Sequence, residues 1–325
     1  MNVAPTPVLV VSCDRYADLW RPFFTIFWNY WPNCPFPVYL GSNFKSYDDP
    51  QVKTILVGED VRWAAGVIKM LDHLKSDYLF LFLEDFFLIE KVDTRRILNL
   101  VETARQNQIG CLRMVSGSHL SFPPTHALEQ YPGLGIIAPG DMNRVSTQVA
   151  LWKTETLRKL LNPHFNPWQF EEIGTILSEG MPDQFWGTYR PAILYDQCVE
   201  RGKWRPEGIS HCRNMGLEID LSARPPMSEA DVTRALLSMK MENEFNNLKR
   251  STVLSFKSGE RINGLRSGIQ LFIKKPLSLK LWTIVFFGLL GKKSINWLFR
   301  QYASLRMSGI EKQSKRRLKS YQIKR

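Results

Sequence analysis

Two adjacent carboxylates follow directly on a short, wholly apolar stretch of the chain. Tyr78–Leu83 reads YLFLFL, and Glu84 and Asp85 come next. An apolar run of this length is typical of a central strand in a parallel sheet that is covered on both faces. Ligands of open α/β sheets lie just beyond the carboxyl ends of such strands, where Glu84 and Asp85 could hold a divalent cation and a diphosphate. The alternative is that the two acids only end the strand and cap the next segment.

Two other places carry carboxylates that could serve the same site. Asp14, in Ser12-Cys13-Asp14, follows the first predicted strand, where it could bind a nucleotide's base or ribose or simply cap the next helix. Glu171 and Glu172 lie near the start of another predicted helix, where acids also complement the helix dipole. Because consecutive helical residues point about 100° apart, one of these two can face a cleft while the other faces solvent. A carboxylate close to an acceptor hydroxyl can act as a general base.

Spacing and missing motifs limit the class of site. Asp85 and Glu171 are 86 residues apart, so only the fold can bring them together. The chain has no GxGxxG, GxxxxGK[ST], GxSxG or HExxH, which argues against common dinucleotide-binding, P-loop, hydrolase and zincin classes. His211, shortly after Gly202-Lys203-Trp204, is a candidate third ligand for a metal or phosphate, with a surface or capping role as the simpler alternative.

Predicted strands and helices alternate along the first half of the chain. Strands are predicted at Val8–Val11, Val38–Leu40, Lys53–Val57, Tyr78–Leu83 and Cys111–Val115, and helices at Tyr16–Tyr30, Trp63–Lys75 and Thr94–Gln106. Further on, strands are predicted at Ser146–Trp152 and Arg190–Tyr195, and helices at Thr154–Leu161 and Trp168–Ser178. Between these halves, Gly117–Asn143 is rich in Pro, Gly, Ser and His and is a candidate acceptor-site flap, with disorder as the alternative. The alternation predicts an α/β fold with a mainly parallel sheet and flanking helices.

The charge of the chain is concentrated at its C-terminal end. The net charge is +12, but residues 247–325 hold 19 Lys and Arg against two acids, whereas residues 1–246 hold 24 against 29. This asymmetry predicts a boundary near residue 245, with a globular domain over 1–245 and a helical basic tail over 246–325.

The tail also contains an apolar block. Leu281–Gly291 is free of charge for 11 residues, which is too short to span a bilayer. With lysines on both sides and Trp297 nearby, it is typical of an interfacial helix on an anionic membrane surface, to which the basic run Lys315–Lys319 would add. A core-packing helix with a solvated basic end is one alternative. Nucleic acid is another and is not expected, because the apolar block favours lipid.

The N-terminal residues and the cysteines indicate the cellular compartment of the protein. Five widely spaced cysteines form no CxxC pair, which argues against a disulfide framework or a zinc knuckle. Met1–Pro7 shows no basic segment and no cleavable signal pattern. Together with the tail, these features predict a peripheral protein at the cytoplasmic face of a membrane.

Several blocks of the chain, in this order, resemble a group of bacterial sugar transferases of the GT-A type. They are Val11–Phe24, Trp63, Tyr78–Leu88, Gln148–Lys153, Asn166–Glu171 and Gly202–Trp204, and they span about residues 8–215. The resemblance implies a GT-A-like, Rossmann-like fold. It also implies a glycosyltransferase that moves a sugar from a nucleoside-diphosphate donor to a lipid-linked or polysaccharide acceptor, with inversion, in surface polysaccharide synthesis.

The resemblance also implies roles for single residues. Glu84 and Asp85 would stand in place of the family's Asp-x-Asp motif, with Mn²⁺ or Mg²⁺ bridging the diphosphate. Glu171 would be the base, with Glu172 as second choice, and Ser12, Asp14 and Trp63 would belong to the donor site. Because no second Asp lies two positions from Asp85, the cations of Arg62, Lys69 or the tail are alternatives to a metal.

Every one of these roles requires the distant acids to meet in one cleft. The rival interpretation is a non-catalytic, membrane-bound scaffold that binds a nucleotide or a glycan. A weaker third is a nucleic-acid-binding protein that uses the tail.

Overall fold

The computed structural model describes residues 5–59, 62–114, 123–274 and 278–322. The chain divides into two compact units. The first, called the sheet unit, comprises residues 1–137, 147–163 and 183–234. The second, called the helical unit, comprises residues 138–146, 164–182 and 235–325.

The strands all belong to the sheet unit. They are β1 (Val8–Val11), β2 (Val38–Ser42), β3 (Val52–Leu56), β4 (Tyr78–Leu83), β5 (Phe86–Leu88), β6 (Cys111–Arg113), β7 (His126–Ala127), β8 (Leu134–Ile136), β9 (Ala150–Lys153), β10 (Phe185–Thr188), β11 (Tyr195–Gln197), β12 (Val199–Glu200) and β13 (Lys203–Trp204).

Helices occur in both units, and a 3₁₀ segment at Asp14–Leu19 precedes the first of them. They are α1 (Trp20–Tyr30), α2 (Trp63–His73), α3 (Thr94–Gln106), α4 (Thr154–Leu160), α5 (Pro167–Ser178), α6 (Pro206–Asn214), α7 (Glu229–Ser258), α8 (Arg261–Lys274), α9 (Leu279–Leu290) and α10 (Lys292–Gln322).

Nine strands of the described chain form one mixed, mainly parallel sheet. Its order is β3-β2-β1-β4-β9-β6-β10-β8-β7. β3, β2, β1 and β4 are parallel neighbours, and Val8 of β1 lies opposite Val38 on one side and Phe80 on the other. β9 runs antiparallel between β4 and β6. The predicted α/β class is confirmed, and the carboxyl ends of β1, β2 and β4 lie along one edge of the sheet.

Short features of the sequence explain why several of the predicted strands and helices form. β1 and β4 are buried almost throughout, as their uninterrupted apolar sequences require. α3 begins after Asp93, whose side chain accepts a hydrogen bond from the backbone N–H of Arg96 at 3.1 Å. In β2, a side chain at Gly41 would collide with Met70 of α2, so the glycine lets this helix lie close to the sheet.

Two predictions of elements need correction. The strand predicted at Arg190–Tyr195 is wrong, since β10 ends at Thr188 and β11 begins at Tyr195. Pro191 has no N–H to give to a sheet, and the carbonyls of Arg190 and Pro191 accept hydrogen bonds from the Arg96 guanidinium instead. The predicted loop 117–143 contains the short strands β7 and β8, and its residues 117–122 lie outside the described part of the chain.

The helical unit is built around an apolar cluster between its long helices. The cluster consists of Val253, Phe256, Ile284, Val285 and Ile295, with Phe272 and Phe299 packed against it. α5 starts with a capping box, in which Asn166 and Gln169 bond to each other's backbone N–H groups. In the described ranges, no helix is both long enough and apolar enough to cross a membrane.

Candidate active site

The acid pair stands at the carboxyl edge of the sheet, directly after β4. Glu84 is only 8% exposed, and Asp85 is partly buried. Burial, followed by the charge of Asp85, raises the pKa of Glu84 well above its usual value. Burial also raises the pKa of Asp85 to about 7, against the opposing effect of a hydrogen bond from Gln197 Nε2 to Asp85 Oδ2 at 3.3 Å. Two neighbouring carboxyl groups removed from water favour a shared proton or a bound cation.

A buried arginine lies beside the acid pair and was not predicted from the sequence. Arg224 is 6% exposed and donates to both carboxylate oxygens of Asp18 at 2.8 and 2.9 Å. Its guanidinium carbon lies 4.4 Å from the ring centroid of Tyr16. The charge of Arg224 opposes the rise in the pKa of Glu84 and of Asp85. Arg224 and Asp18 are 206 residues apart, so no local pattern could have paired them.

Asp14 connects the loops that follow β1 and β2. Its carboxylate accepts hydrogen bonds from the backbone N–H groups of Asn43, Phe44 and Lys45, each at 3.1 Å. The N-cap position of the 3₁₀ segment is Cys13, and Asp14 is the first residue of the segment, so Asp14 is not in the N-cap position. A carboxylate that already accepts three amide bonds has few lone pairs left for a ligand. The nucleotide-binding role of Asp14 stays a prediction.

The remaining donor-site candidates are Ser12, which follows β1, and Arg62, Trp63 and Lys69, which belong to α2 or its N-cap. Ser12 Oγ accepts a hydrogen bond from Trp20 Nε1 at 2.8 Å. Arg62 precedes α2 and Trp63 is its first residue, and both are partly buried. Lys69 Nζ donates to the carbonyl of Val57 at 2.8 Å, so its ammonium group is held by the backbone just beyond β3.

His211 is not grouped with the acid pair. Its Nε2 lies 2.9 Å from Asp196 Oδ2, which joins α6 to β11. Over the described residues, no three or more His, Cys, Asp and Glu side chains are arranged to hold a metal ion. Asp196 contacts only one of the two ring nitrogens, so the role of His211 as a third ligand beside Glu84 and Asp85 stays a prediction. A pair of carboxylates still fits a magnesium-like ion, which commonly takes one or two protein carboxylates and completes its shell with waters and substrate phosphates.

Glu171 and Glu172 lie in the first half of α5, in the helical unit, and line a cavity of about 420 Å³. Glu172 accepts hydrogen bonds from Tyr302 Oη at 2.5 Å and from Arg306 at 3.3 Å. Burial would raise the pKa of Glu172, but these hydrogen bonds outweigh it and hold the pKa below its usual value. Glu171 Oε1 accepts a hydrogen bond from Ser146 Oγ at 3.3 Å. Glu172 is therefore a poor base, and Glu171 is the better candidate of the two.

The candidate residues thus form two groups, one in each compact unit. Asp14, Glu84 and Asp85 belong to the sheet unit, and Glu171 and Glu172 to the helical unit. That Asp85 and Glu171 meet in a single cleft stays a prediction.

Comparisons with known proteins give distant structural similarities. No family model and no curated protein matches the sequence. A mannosyltransferase, PcManGT from Pyrobaculum calidifontis in complex with GDP-Man and Mn²⁺, is 14% identical, with 91% of this chain and 90% of that chain covered and a TM-score of 0.40. Residues 1–349 of S. aureus TarS are 12% identical, with 92% and 91% covered and a TM-score of 0.43. The galactosyltransferase LgtC, in complex with donor and acceptor sugar analogues, is 10% identical, with 64% and 78% covered and a TM-score of 0.36.

Proposed function

We propose that this protein is a glycosyltransferase that uses a nucleoside-diphosphate sugar as donor. The observation that carries the proposal is the desolvated pair Glu84 and Asp85 at the carboxyl end of β4. The carboxyl ends of β1 and β2 are adjacent, and this edge is where open α/β sheets bind their ligands. The resemblance of the sequence blocks to GT-A-type transferases points to the same class.

Glu84 and Asp85 would hold a divalent cation, Mn²⁺ or Mg²⁺, against the donor. Such a cation would supply positive charge to a diphosphate leaving group. It would also relieve the repulsion between the two buried carboxylates, which raises the pKa of Glu84 in its absence. Arg224 would support this site by holding Asp18 and the ring of Tyr16 beside the pair.

Glu171 would be the general base of a single displacement. The acceptor hydroxyl oxygen forms a bond to the anomeric carbon while the bond from that carbon to the diphosphate oxygen breaks. The hydroxyl proton passes to the Glu171 carboxylate, and the nucleoside diphosphate leaves with the bonding electron pair. Attack opposite to the leaving group inverts the anomeric centre. Ser146, within hydrogen-bond distance of Glu171, would orient this carboxylate.

The acceptor would be membrane-linked, as in the synthesis of a surface polysaccharide. α9 turns one side to the core of the helical unit and exposes apolar residues on the other, including Leu279 at 80%, Trp282 at 54% and Phe286 at 60%. The exposed lysines Lys292 and Lys293 follow α9 in the chain. An amphipathic surface of this kind suits peripheral binding to anionic lipid at the cytoplasmic face.

Glu171→Gln tests the catalytic assignment. Loss of the base should lower turnover about 10²- to 10⁴-fold while donor binding is retained. The measurement is release of nucleoside diphosphate from a panel of UDP-, GDP- and dTDP-sugars with and without Mn²⁺, alongside donor binding by thermal shift. Glu172→Gln is the matched control and should affect turnover much less. Full turnover by Glu171→Gln would refute the assignment.

The same assay separates the transferase from a non-catalytic scaffold. A scaffold would bind a nucleotide or a glycan but release no nucleoside diphosphate from any donor. For a transferase, Asp85→Asn should weaken donor binding and reduce the response to Mn²⁺. Donor binding without turnover in the unmodified protein would favour the scaffold.

A further inference from the structure

The cavity of about 420 Å³ in the helical unit combines an apolar wall with several charged groups. Its wall includes Val253, Ile284, Leu298 and Phe299. Trp168, at the first turn of α5, also lines it and is 74% exposed. An apolar pocket with a few polar groups is the usual form of a binding site for a small ligand.

Most of the charged groups that line the cavity already have partners. Lys257 Nζ contacts the Glu179 carboxylate at 2.5 and 2.6 Å. Asp141 accepts from two nitrogens of the Arg250 guanidinium. Glu172 accepts hydrogen bonds from Tyr302 and Arg306, and Lys280 also lies within ion-pair distance of it.

Lys249 differs from these groups. Among the described residues it has no hydrogen-bonded or ion-paired acid, although it is partly buried in the cavity wall. Burial lowers the pKa of Lys249, and the charge of Lys280 lowers it further, against a smaller opposing effect of Glu172. Lys280 also lines the cavity, with its Nζ 4.0 Å from Glu172 and 3.3 Å from Tyr302 Oη. Glu172 therefore lies beside Lys280, whereas Lys249 has no hydrogen-bonded or ion-paired acid among the described residues, and an anion in the cavity would supply its counter-charge.

We propose that this cavity binds a phosphate group attached to an apolar chain, with the phosphate at Lys249 and Lys280 and the chain along Val253, Ile284 and Phe299. A phosphate monoester carries about −1.5 to −2 charges at neutral pH, which matches two ammonium groups better than a carboxylate does. The apolar wall gives the chain its binding energy, because each methylene group that leaves water for the wall adds to it. A sugar phosphate would use the lysines but leave the wall uncovered.

The binding proposal is independent of the proposed function, but one extension of it is not. If the protein is a glycosyltransferase, the ligand is the lipid-phosphate end of its acceptor, because Glu171 lines the same cavity. That extension rests on the proposed function. Binding itself is measured without a donor and without turnover.

Titration calorimetry on the full chain tests the proposal, with octyl phosphate kept below its micelle concentration. We expect octyl phosphate to bind at least tenfold more tightly than inorganic phosphate, glucose 1-phosphate or octyl glucoside. Lys249→Gln should weaken octyl phosphate binding at least tenfold, and Lys249→Arg should retain it. Lys91→Gln is the matched control, because Lys91 is exposed, belongs to the sheet unit and does not line the cavity.

Each other outcome contradicts the proposal. Equal losses in Lys249→Gln and Lys91→Gln would indicate general attraction to surface charge. Equal affinity for octyl glucoside would show that the cavity recognises only the chain, and equal affinity for glucose 1-phosphate would indicate a sugar-phosphate site. Circular dichroism of Lys249→Gln and Lys249→Arg checks that both fold. A failure here leaves the donor-release assay unchanged, so the two proposals fail separately.

Discussion

Glu171 and Glu172 are neighbours in sequence, yet their surroundings give the two carboxylates different properties. Tyr302 and Arg306 hold Glu172 as an ion, whereas Glu171 is near the hydroxyl of Ser146. Helix geometry alone predicts that the two side chains point in different directions, but it does not show which of them is the base. Tyr302 and Arg306 lie 130 and 134 residues further along the chain, so the distinction required the fold.

Lys249 provides a prediction about stability and pH. Replacing it with Met removes a charge that burial and Lys280 disfavour, so we expect the free energy of unfolding at pH 7 to rise by about 1 kcal/mol. The folded-state pKa lies below the ordinary value of 10.5, so the penalty is complete below the folded pKa. This penalty disappears as the pH rises from the pKa of Lys249 in the folded protein toward its pKa in the unfolded chain. Urea unfolding at pH 7 and pH 10 should therefore show a gain that shrinks with pH.

The control for this prediction is Lys292→Met. Lys292 is exposed, so its replacement should change the free energy of unfolding by less than about 0.5 kcal/mol at either pH. A gain in Lys249→Met that is the same at both pH values would mean that added apolar packing, not the lost charge, stabilises the variant.

At the scale of elements, glycines allow the helices of the helical unit to pack closely. A side chain at Gly264 of α8 or at Gly288 of α9 would collide with the ring of Phe256, which is fully buried on α7. The ring cannot turn away without disturbing the cluster around it. The two glycines therefore set how near α8 and α9 come to α7.

Gly288→Ala should destabilise the protein by about 1 to 3 kcal/mol, because the added methyl group overpacks the cluster at Phe256. The matched control is Gly309→Ala in α10, where an added methyl group meets nothing within 4 Å. There the better helix propensity of alanine should stabilise by up to about 1 kcal/mol. Thermal or urea unfolding measures both, and equal effects of the two substitutions would contradict the packing explanation.

The elements that the sequence predicts well are those with local causes. β1, β4 and α3 appear within a residue of their predicted bounds, since continuous burial and the Asp93 cap are written in short stretches. The segment Arg190–Tyr195 looks equally apolar but forms no strand, because the Arg96 guanidinium, 94 and 95 residues away, takes two of its carbonyls. Contacts of long sequence separation, such as Arg224 with Asp18, have no such local signature.

At the scale of the whole molecule, the net positive charge and the exposed apolar residues fall in the same part of the chain. Residues 247–325 hold 19 Lys and Arg against two acids, whereas acids outnumber Lys and Arg in the rest of the chain, and α9 lies within this basic part. The predicted interfacial helix corresponds to α9, which packs Leu281, Ile284 and Val285 inward. One side of α9 therefore packs into a core, as the core-packing alternative expects, and the other side is exposed, while its binding to a membrane stays a prediction. Lys275 and Leu277 lie outside the described residues, as do the side chains of Arg316 to Lys319.

Membrane binding tests whether the exposed side of α9 has the function that we propose for it. The double substitution Leu279→Ser with Phe286→Ser should leave the fold intact, because these side chains are 80% and 60% exposed. It should weaken binding to vesicles that contain phosphatidylglycerol by about 2 kcal/mol, roughly thirtyfold, since each side chain loses its apolar contact with lipid. Co-sedimentation with vesicles measures the partition.

The matched control for that experiment is Leu98→Ser on α3, which removes an apolar side chain that is 46% exposed in the sheet unit. It should bind the vesicles as the unmodified protein does. Raising the salt concentration from about 0.1 to 1 M shortens the Debye length from about 10 to 3 Å, so it should weaken the contribution of the lysines but not that of α9. Equal losses in the α9 and α3 variants, or equal binding to purely zwitterionic vesicles, would show that the exposed side of α9 and its lysines serve another purpose.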